Sequence, residues 1–279
     1  MNPSFSTINC RGNLIAFSTP RVMGIINVTP DSFFPGSRIA TEKDLLKKAE
    51  QMLDEGATFL DIGGYSSRPG ARHIDEETEK QRVIPAVKLL AKHFPQACIS
   101  VDTFRSDVAR AALDAGAGMV NDISGGNLDK RMFDTVASFG VPYILMHMQG
   151  TPQTMQKNPR YDDPVVDINR FFARKIRRLQ ETGIRDIILD PGFGFGKTLQ
   201  HNYRILSRLD QLTWHGYPVL VGMSRKSMLF RLLDGKPEEM LNATTVVNTI
   251  ALMKGASILR VHDVKPAVEA VRIFMELKE

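Results

Sequence analysis

Cysteine is nearly absent from this chain: among 279 residues only Cys10 and Cys98 carry a thiol. They lie far apart and in none of the pair spacings that zinc or iron–sulfur sites use. They are therefore expected to be two free thiols of a protein kept in a reducing compartment. Long apolar runs are missing too, none approaching the roughly 18 residues a membrane helix needs. The N-terminus has no basic stretch leading into an apolar one, as a secretory signal would. These absences predict a soluble, cytoplasmic protein without a membrane partner. Dense Lys/Arg runs are also lacking, and 36 basic against 31 acidic residues leave a net charge of +5. That excess makes no case for nucleic acid, and a small anionic substrate accounts for it equally well. No repeat, linker or low-complexity segment interrupts the chain, so residues 1–279 read as one domain. With 43% hydrophobic residues it can bury a large core.

What the chain has is alternation. Short apolar runs recur at Val22–Val28, Thr58–Gly63, Cys98–Asp102, Gly118–Ile123, Tyr143–His147, Asp186–Asp190, Pro218–Gly222 and Ser257–Val261. Several are rich in Ile, Val and Leu without polar alternation, as parallel strands buried on both faces are. Amphipathic helical patterns lie between them. Thr41 reads as an N-cap with Asp44 three residues on, and Leu45, Ala49, Met52 and Leu53 form a stripe ended by Gly56. Val165, Ile168, Phe172, Ile176 and Leu179 form another before Gly183. Val108, Ala111, Ala112 and Ala115 form a third before Gly116. Eight strand–helix units predict a (β/α)8 TIM barrel, with a doubly wound sheet as the alternative. Residues 8–17 predict an N-terminal β-hairpin within 1–20, turning at Gly12-Asn13 and plugging one end of the barrel.

In such a barrel the active site lies at the C-terminal ends of the strands. Here those ends are polar: Asn27, Asp61, Asp102, Asn121 with Asp122, His147, Asp190, the "GMSRKS" of Gly222–Ser227, and "RVHD" of Arg260–Asp263. Each has a bland reading, and Asp102 before Thr103 serves equally well as a helix cap. Together they point to a site. Arg225, Lys226, Arg260 and His262 follow strands seven and eight, where barrels often hold phosphate, and their charge suits a diphosphate. Asp102, Asn121 and Asp190 suit a ligand edge with adjacent N–H donors, such as an aminopyrimidine ring. No His/Cys/Asp cluster has transition-metal spacing, whereas Asn27 offers one neutral oxygen to a Mg2+ that takes the rest of its shell from phosphate and water.

"LDPGFGFGKT" at Leu189–Thr198 ends like a nucleotide-binding P-loop. The pattern needs a glycine where Pro191 stands, and proline has no N–H for a phosphate. The dinucleotide fingerprint fails at Lys197. The stretch reads instead as a ring-binding turn: Asp190 holds the ligand edge, Phe193 and Phe195 give apolar faces, and Lys197 is peripheral.

The motifs "MGIINVTPDSF", "DIGGYSSRPGA", "SVDTFRSDVA", "NDISGG", "ILDPGFGFGK", "GMSRKS" and "RVHDV", in this order over nearly the whole chain, resemble the dihydropteroate synthase family. The resemblance implies a (β/α)8 fold and a homodimer. It implies a transferase of folate biosynthesis that joins 4-aminobenzoate to 6-hydroxymethyl-7,8-dihydropterin diphosphate and releases diphosphate, with Mg2+ as cofactor and sulfonamides as inhibitors. Carried over residue by residue, it puts Asp102, Asn121, Met146, Asp190, Phe195, Gly222 and Lys226 on the pterin. It puts Asn27, Ser67, Arg260 and His262 on the diphosphate, with Asn27 also on the metal. Phe33, Arg68, Pro69, Phe193 and Ser224 fall on the aminobenzoate. Asp31 and Arg68 lie on two loops that close over the substrates. The groups implied in the chemistry are Asp102, Asp190, Lys226 and Arg260.

Departures from the family pattern are Tyr65, where many members have Glu, Ser67, where many have Thr, and Phe34-Pro35, where many have Ser and Asp. A methyltetrahydrofolate-dependent methyltransferase barrel is the alternative function, but it has no use for the diphosphate motifs. A pterin-binding module without catalysis is at odds with intact Asn27, Arg260 and His262, and a phosphosugar barrel leaves the carboxylates unexplained.

Overall fold

The computed structural model describes residues 7–28, 41–66 and 73–277. Eight parallel strands form the barrel: β3 (Arg21–Asn27), β4 (Phe59–Gly63), β5 (Cys98–Asp102), β6 (Met119–Asp122), β7 (Tyr143–Met146), β8 (Ile187–Asp190), β9 (Leu220–Val221) and β10 (Ile258–Val261). Their order is β8-β7-β6-β5-β4-β3-β10-β9, and a parallel bridge from Leu189 to Val219 joins the two ends. Seven lie within the predicted runs and β3 begins one residue before its run, at Arg21, so the (β/α)8 expectation holds.

Helices α1 (Glu42–Asp54), α2 (Glu76–His93), α3 (Ser106–Asp114), α4 (Met132–Phe139), α5 (Pro164–Glu181), α6 (Leu199–Ser207), α7 (Ser227–Phe230), α8 (Leu241–Met253) and α9 (Val264–Glu276) connect the strands. Thr41 caps α1 by accepting from the Asp44 N–H, as the sequence implied. The predicted α5 stripe is fully buried, and Gly183 leaves the helix with φ +91°. In α3 the buried face is Val108, Ala109, Ala112 and Leu113, one step round from the predicted stripe.

The N-terminal hairpin pairs β1 (Thr7–Cys10) with β2 (Asn13–Ala16), and Cys10 faces Asn13. Its turn is therefore Arg11-Gly12, with φ +53° and +85°, not Gly12-Asn13. Positive φ at both central residues is what a tight primed turn demands, and the Asn9 side chain accepts from the Gly12 N–H. Ile8 and Cys10 face inward. They pack on a layer with one residue from each barrel strand: Met23, Phe59, Cys98, Met119, Ile144, Ile188, Leu220 and Ile258. The hairpin plugs the N-terminal end, as expected.

Cys10 and Cys98 meet in that layer and are joined as a disulfide, with Cα atoms 6.1 Å apart. The expectation of two free thiols is wrong. The hairpin carries Cys10 to the start of β5, a proximity that sequence spacing does not encode, and the inference of a reducing compartment from free thiols falls with it.

Candidate active site

Side chains in a strand alternate between faces. Starting from the plug layer, every second residue therefore points into the barrel. The next layer is Ile25, Asp61, Ser100, Asn121, Met146, Asp190, Gly222 and Arg260, and above it come Asn27, Asp102, Ser224 and His262. A cavity of about 370 Å3 opens there, and all of these except Asp61 and Ser100 line it. The structure thus gathers into one mouth every described residue to which the family resemblance gave a role, whereas Asp61, Asp122 and His147, named only as polar strand ends, do not line it. Phe33, Asp31, Ser67, Arg68, Pro69 and the Phe34-Pro35 departure lie outside the described residues.

Arg260 is the hub. Its Nε donates to Asp61 Oδ2 at 2.6 Å and its Nη2 to Asp102 Oδ2 at 2.7 Å. Asn121 Nδ2 donates to the same Asp61 oxygen at 2.9 Å, which fixes the Asn121 amide with its Oδ1 free to accept. Asp61 Oδ1, Ser100 Oγ and Asn121 Oδ1 are buried with no hydrogen-bond partner among the described residues. Buried acceptors of this kind cost stability unless something donates to them. Asp102 does not cap α3: its carboxylate is spent on Arg260, while Asp129 Oδ2 accepts from the Ser106 N–H. Loss of water pushes Asp102 up to about 7, against the pull of Arg260.

Asp190 accepts from the Gly192 N–H at 2.7 Å and is also raised by burial, although Lys226 opposes the shift. Lys226 Nζ donates to the Phe193 carbonyl at 2.6 Å and sits 4.7 Å from the centroid of the Phe195 ring. Desolvation brings Lys226 down to about 8. Ser224 Oγ lies 3.0 Å from His262 Nδ1. Burial, reinforced by Arg260, pushes His262 down to about 3, so at neutral pH it is an uncharged imidazole.

Several expectations change here. Phe193 lines the cavity but its ring is fully buried in the main core, so it gives no exposed apolar face at the rim. Phe195 alone does so. Arg225 is not free for phosphate: it bonds both Asp263 oxygens and the carbonyls of Pro237 and Glu238, holding the α7–α8 connection. Asp122 faces away from the cavity and accepts from Tyr143 Oη and two backbone N–H groups. Lys197, read as peripheral, is 3% exposed and lines the cavity. Thr198 does begin a helix, capping α6 by accepting from the His201 N–H, but no phosphate cradle precedes it.

Asp61, noted from the sequence only as a polar strand end, has a role there that the sequence did not suggest: it anchors Arg260 and Asn121. It stands two positions after Phe59 on β4, so strand parity was the available signal. Tyr65 stacks edge-on against Phe104 at 5.0 Å, carries the Arg105 guanidinium on its ring, and accepts from Gln153 Nε2 at 2.6 Å. An aromatic ring fits where a carboxylate is common because Phe104 and Met155 make that wall apolar.

A parallel barrel with carboxylates, an amide and a lysine around a deep cavity is the architecture of an enzyme that holds a flat, hydrogen-bonding heterocycle. The chain belongs to the pterin binding enzyme family, whose sequence model matches residues 23–262. It is 46% identical over 265 residues to dihydropteroate synthase of Escherichia coli, covering 94% of this chain and 93% of that protein. A crystal structure of the Yersinia pestis dihydropteroate synthase with a sulfonamide drug complex superposes with a TM-score of 0.93 at 45% identity, covering 98% of this chain and 99% of that one. The dihydropteroate synthase of Xanthomonas albilineans in complex with 7,8-dihydropteroate superposes with a TM-score of 0.86 at 37% identity, covering 98% of each chain.

Proposed function

We infer that this enzyme joins 6-hydroxymethyl-7,8-dihydropterin diphosphate to 4-aminobenzoate, giving 7,8-dihydropteroate and diphosphate. The observation that carries the reading is the convergence of Asp102, Asn121 and Asp190 on one cavity beside Lys226 and Arg260. Carboxylates and the free Asn121 Oδ1 match the amino and ring N–H groups of a pterin edge. Met146 and Phe195 give its faces apolar contact.

The C–O bond to the diphosphate breaks with its electron pair leaving on the diphosphate oxygen. The pterin methylene becomes cationic, and Asp102 and Asp190 stabilise it. The aryl amine nitrogen then bonds to the methylene and gives up a proton. Arylamines are adequate nucleophiles, so no strong base is needed. Asn27, Arg260 and the neutral His262 face the departing diphosphate, and Ser67 belongs with them in this reading. Closure over the substrates, with Asp31 and Arg68, excludes the water that would otherwise capture the cation. The aminobenzoate lies toward Ser224, and Phe33, Arg68 and Pro69, outside the described residues, belong with it in this reading.

A Mg2+ ion belongs to this proposal. The described residues contain no cluster of His, Cys, Asp or Glu able to hold a metal alone. Arg260 is already paired with two carboxylates, and His262 is uncharged. That donor set fits an ion that arrives with the diphosphate and takes one oxygen from Asn27. Bound there, the metal would neutralise charge on the leaving group.

A homodimer is proposed on the α6–α8 face, where Leu232, Leu233, Val246 and Ile250 expose apolar surface around a groove of about 540 Å3. Such a face is costly in water unless covered. Sulfonamides are proposed to compete for the aminobenzoate side. No described helix is long and apolar enough to cross a membrane. Cytoplasmic residence is the proposed setting, and there the Cys10–Cys98 pair would meet thiol reductants.

Diphosphate release with pterin diphosphate and Mg2+ is the test. Release that requires 4-aminobenzoate supports the reading, and its absence under all conditions rejects it.

A further inference from the structure

The loop between Asp190 and α6 has no regular structure, yet four successive carbonyls in it are each held by a side chain. Phe193 O accepts from Lys226 Nζ at 2.6 Å and Gly194 O from Gln156 Nε2 at 2.5 Å. Phe195 O accepts from Lys197 Nζ at 2.9 Å and Gly196 O from Tyr161 Oη at 2.9 Å. Of these donors, Lys197 alone also hydrogen-bonds to the residue at the end of β7, whose ring Tyr161 merely contacts. Its ammonium lies 3.2 Å from the His147 carbonyl oxygen and 3.2 Å from His147 Nδ1. It has no carboxylate within ion-pair distance among the described residues, and burial pushes it down to about 7, although Asp190 is near enough to favour its charge. A buried ammonium is costly. A methionine of similar length would avoid that cost but leave the Phe195 and His147 acceptors without their donor, so the lysine serves as the link between them.

The loop also rests unusually close to β7. A side chain at Gly192 would overlap the His147 carbonyl, and one at Gly196 would press on Gln149. Lys197 is thus the clasp across a seam that glycines allow to close. Phe195, the aromatic face of the cavity, lies between the two lysine-held carbonyls, Phe193 O and its own.

We propose that Lys197 is a positioning residue: its ammonium ties the Pro191–Thr198 loop to the end of β7 and so sets the Phe195 ring against which the pterin packs. The proposal rests on the pterin reading of the cavity. The ammonium needs three donors for its three partners, so a residue without them releases the seam while Asp190, Lys226 and Asn121 stay in place.

The test uses the full-length protein with K197M, K197R, F195A and the F195A/K197M double variant. The readouts are calorimetric binding of 6-hydroxymethylpterin, steady-state KM for each substrate, and thermal midpoint. K197M is expected to weaken pterin binding and raise the pterin diphosphate KM about tenfold, with the 4-aminobenzoate KM changed less than threefold and the protein still folded at the assay temperature. K197R should recover part of the loss. Because Lys197 acts through Phe195, the double variant should bind pterin no worse than F195A. Wild-type pterin affinity in K197M, or fully additive losses in the double variant, would overturn the proposal. So would a loss of pterin binding fully accounted for by the fraction of K197M unfolded at the assay temperature. Wild-type protein that binds no pterin at all would instead reject the underlying reading.

Discussion

Arg260 on the last strand and Asp102 on the third are joined across the barrel mouth by a 2.7 Å hydrogen bond, between residues 158 positions apart. A second bond from the same guanidinium goes to Asp61, which is wholly buried. One side chain therefore fixes two carboxylates, Asp102 in the cavity and Asp61 in the layer below, and it does so before any substrate arrives.

Removing Asp61's charge should be severe. Asp61→Asn leaves Arg260 with one carboxylate, and Asp61→Ala also frees the Asn121 amide. Breaking a buried pair by deleting one partner costs about 3–5 kcal/mol. Urea denaturation should show a loss of that order for Asp61→Ala, and pterin binding should weaken with it. A loss below about 1 kcal/mol, typical of exposed pairs, would show that the hub is not structural.

Acid should destabilise the fold through two histidines. Burial lowers His147 to about 2 and His262 to about 3, whereas an unfolded histidine titrates near 6.5. Below about 6.5 the unfolded chain binds protons that the folded chain refuses, so stability falls as pH falls toward those values. Each such histidine contributes a slope of about 1.4 kcal/mol per pH unit. His262→Asn should make the decline between pH 6.5 and 4.5 shallower. An unchanged slope would mean that His262 takes up a proton in the folded state.

The disulfide gives a redox prediction. It closes 88 residues of sequence separation between the plug and β5, and a cross-link of that kind contributes roughly 2–4 kcal/mol. Dithiothreitol, or the Cys10→Ser/Cys98→Ser pair, should lower the thermal midpoint by several degrees while leaving turnover nearly intact, because the bond lies at the end of the barrel opposite the cavity. Equal midpoints with and without reductant would show that the bond does not form in solution.

Gly192→Ala should abolish pterin binding. Its φ is +69°, and an added Cβ would overlap the His147 carbonyl oxygen. Gly194→Ala, whose Cβ would meet only Lys226 Cδ at 3.3 Å, should be milder although its φ of +82° is also strained. Similar affinities for both variants would argue that the loop does not pack against β7 as described.

Much of this was legible in the chain. Buried parallel strands must be apolar on both faces, so their runs stood out, and polar residues at their ends marked the mouth. The parity of each strand then fixes which residue faces inward, which is why Asn121 enters the cavity and Asp122 does not. Less legible was what each polar group spends itself on. Asp102 reads equally well as a cap, Arg225 as a phosphate ligand and Lys197 as surface. Those choices depend on partners that are distant in sequence: Arg260 for Asp102, Asp263 for Arg225, His147 for Lys197.

By itself the sequence determined the repeating strand–helix pattern, the hairpin, and the set of residues available at the barrel mouth, because local periodicity and turn chemistry act over a few residues. Only the tertiary structure decided the Cys10–Cys98 bond, the burial of the Phe193 ring, the two-carboxylate grip on Arg260 and the inward turn of Lys197. Each of these rests on contacts that exist only once the barrel has closed, when burial and long-range pairing set which groups stay charged and which atoms they meet.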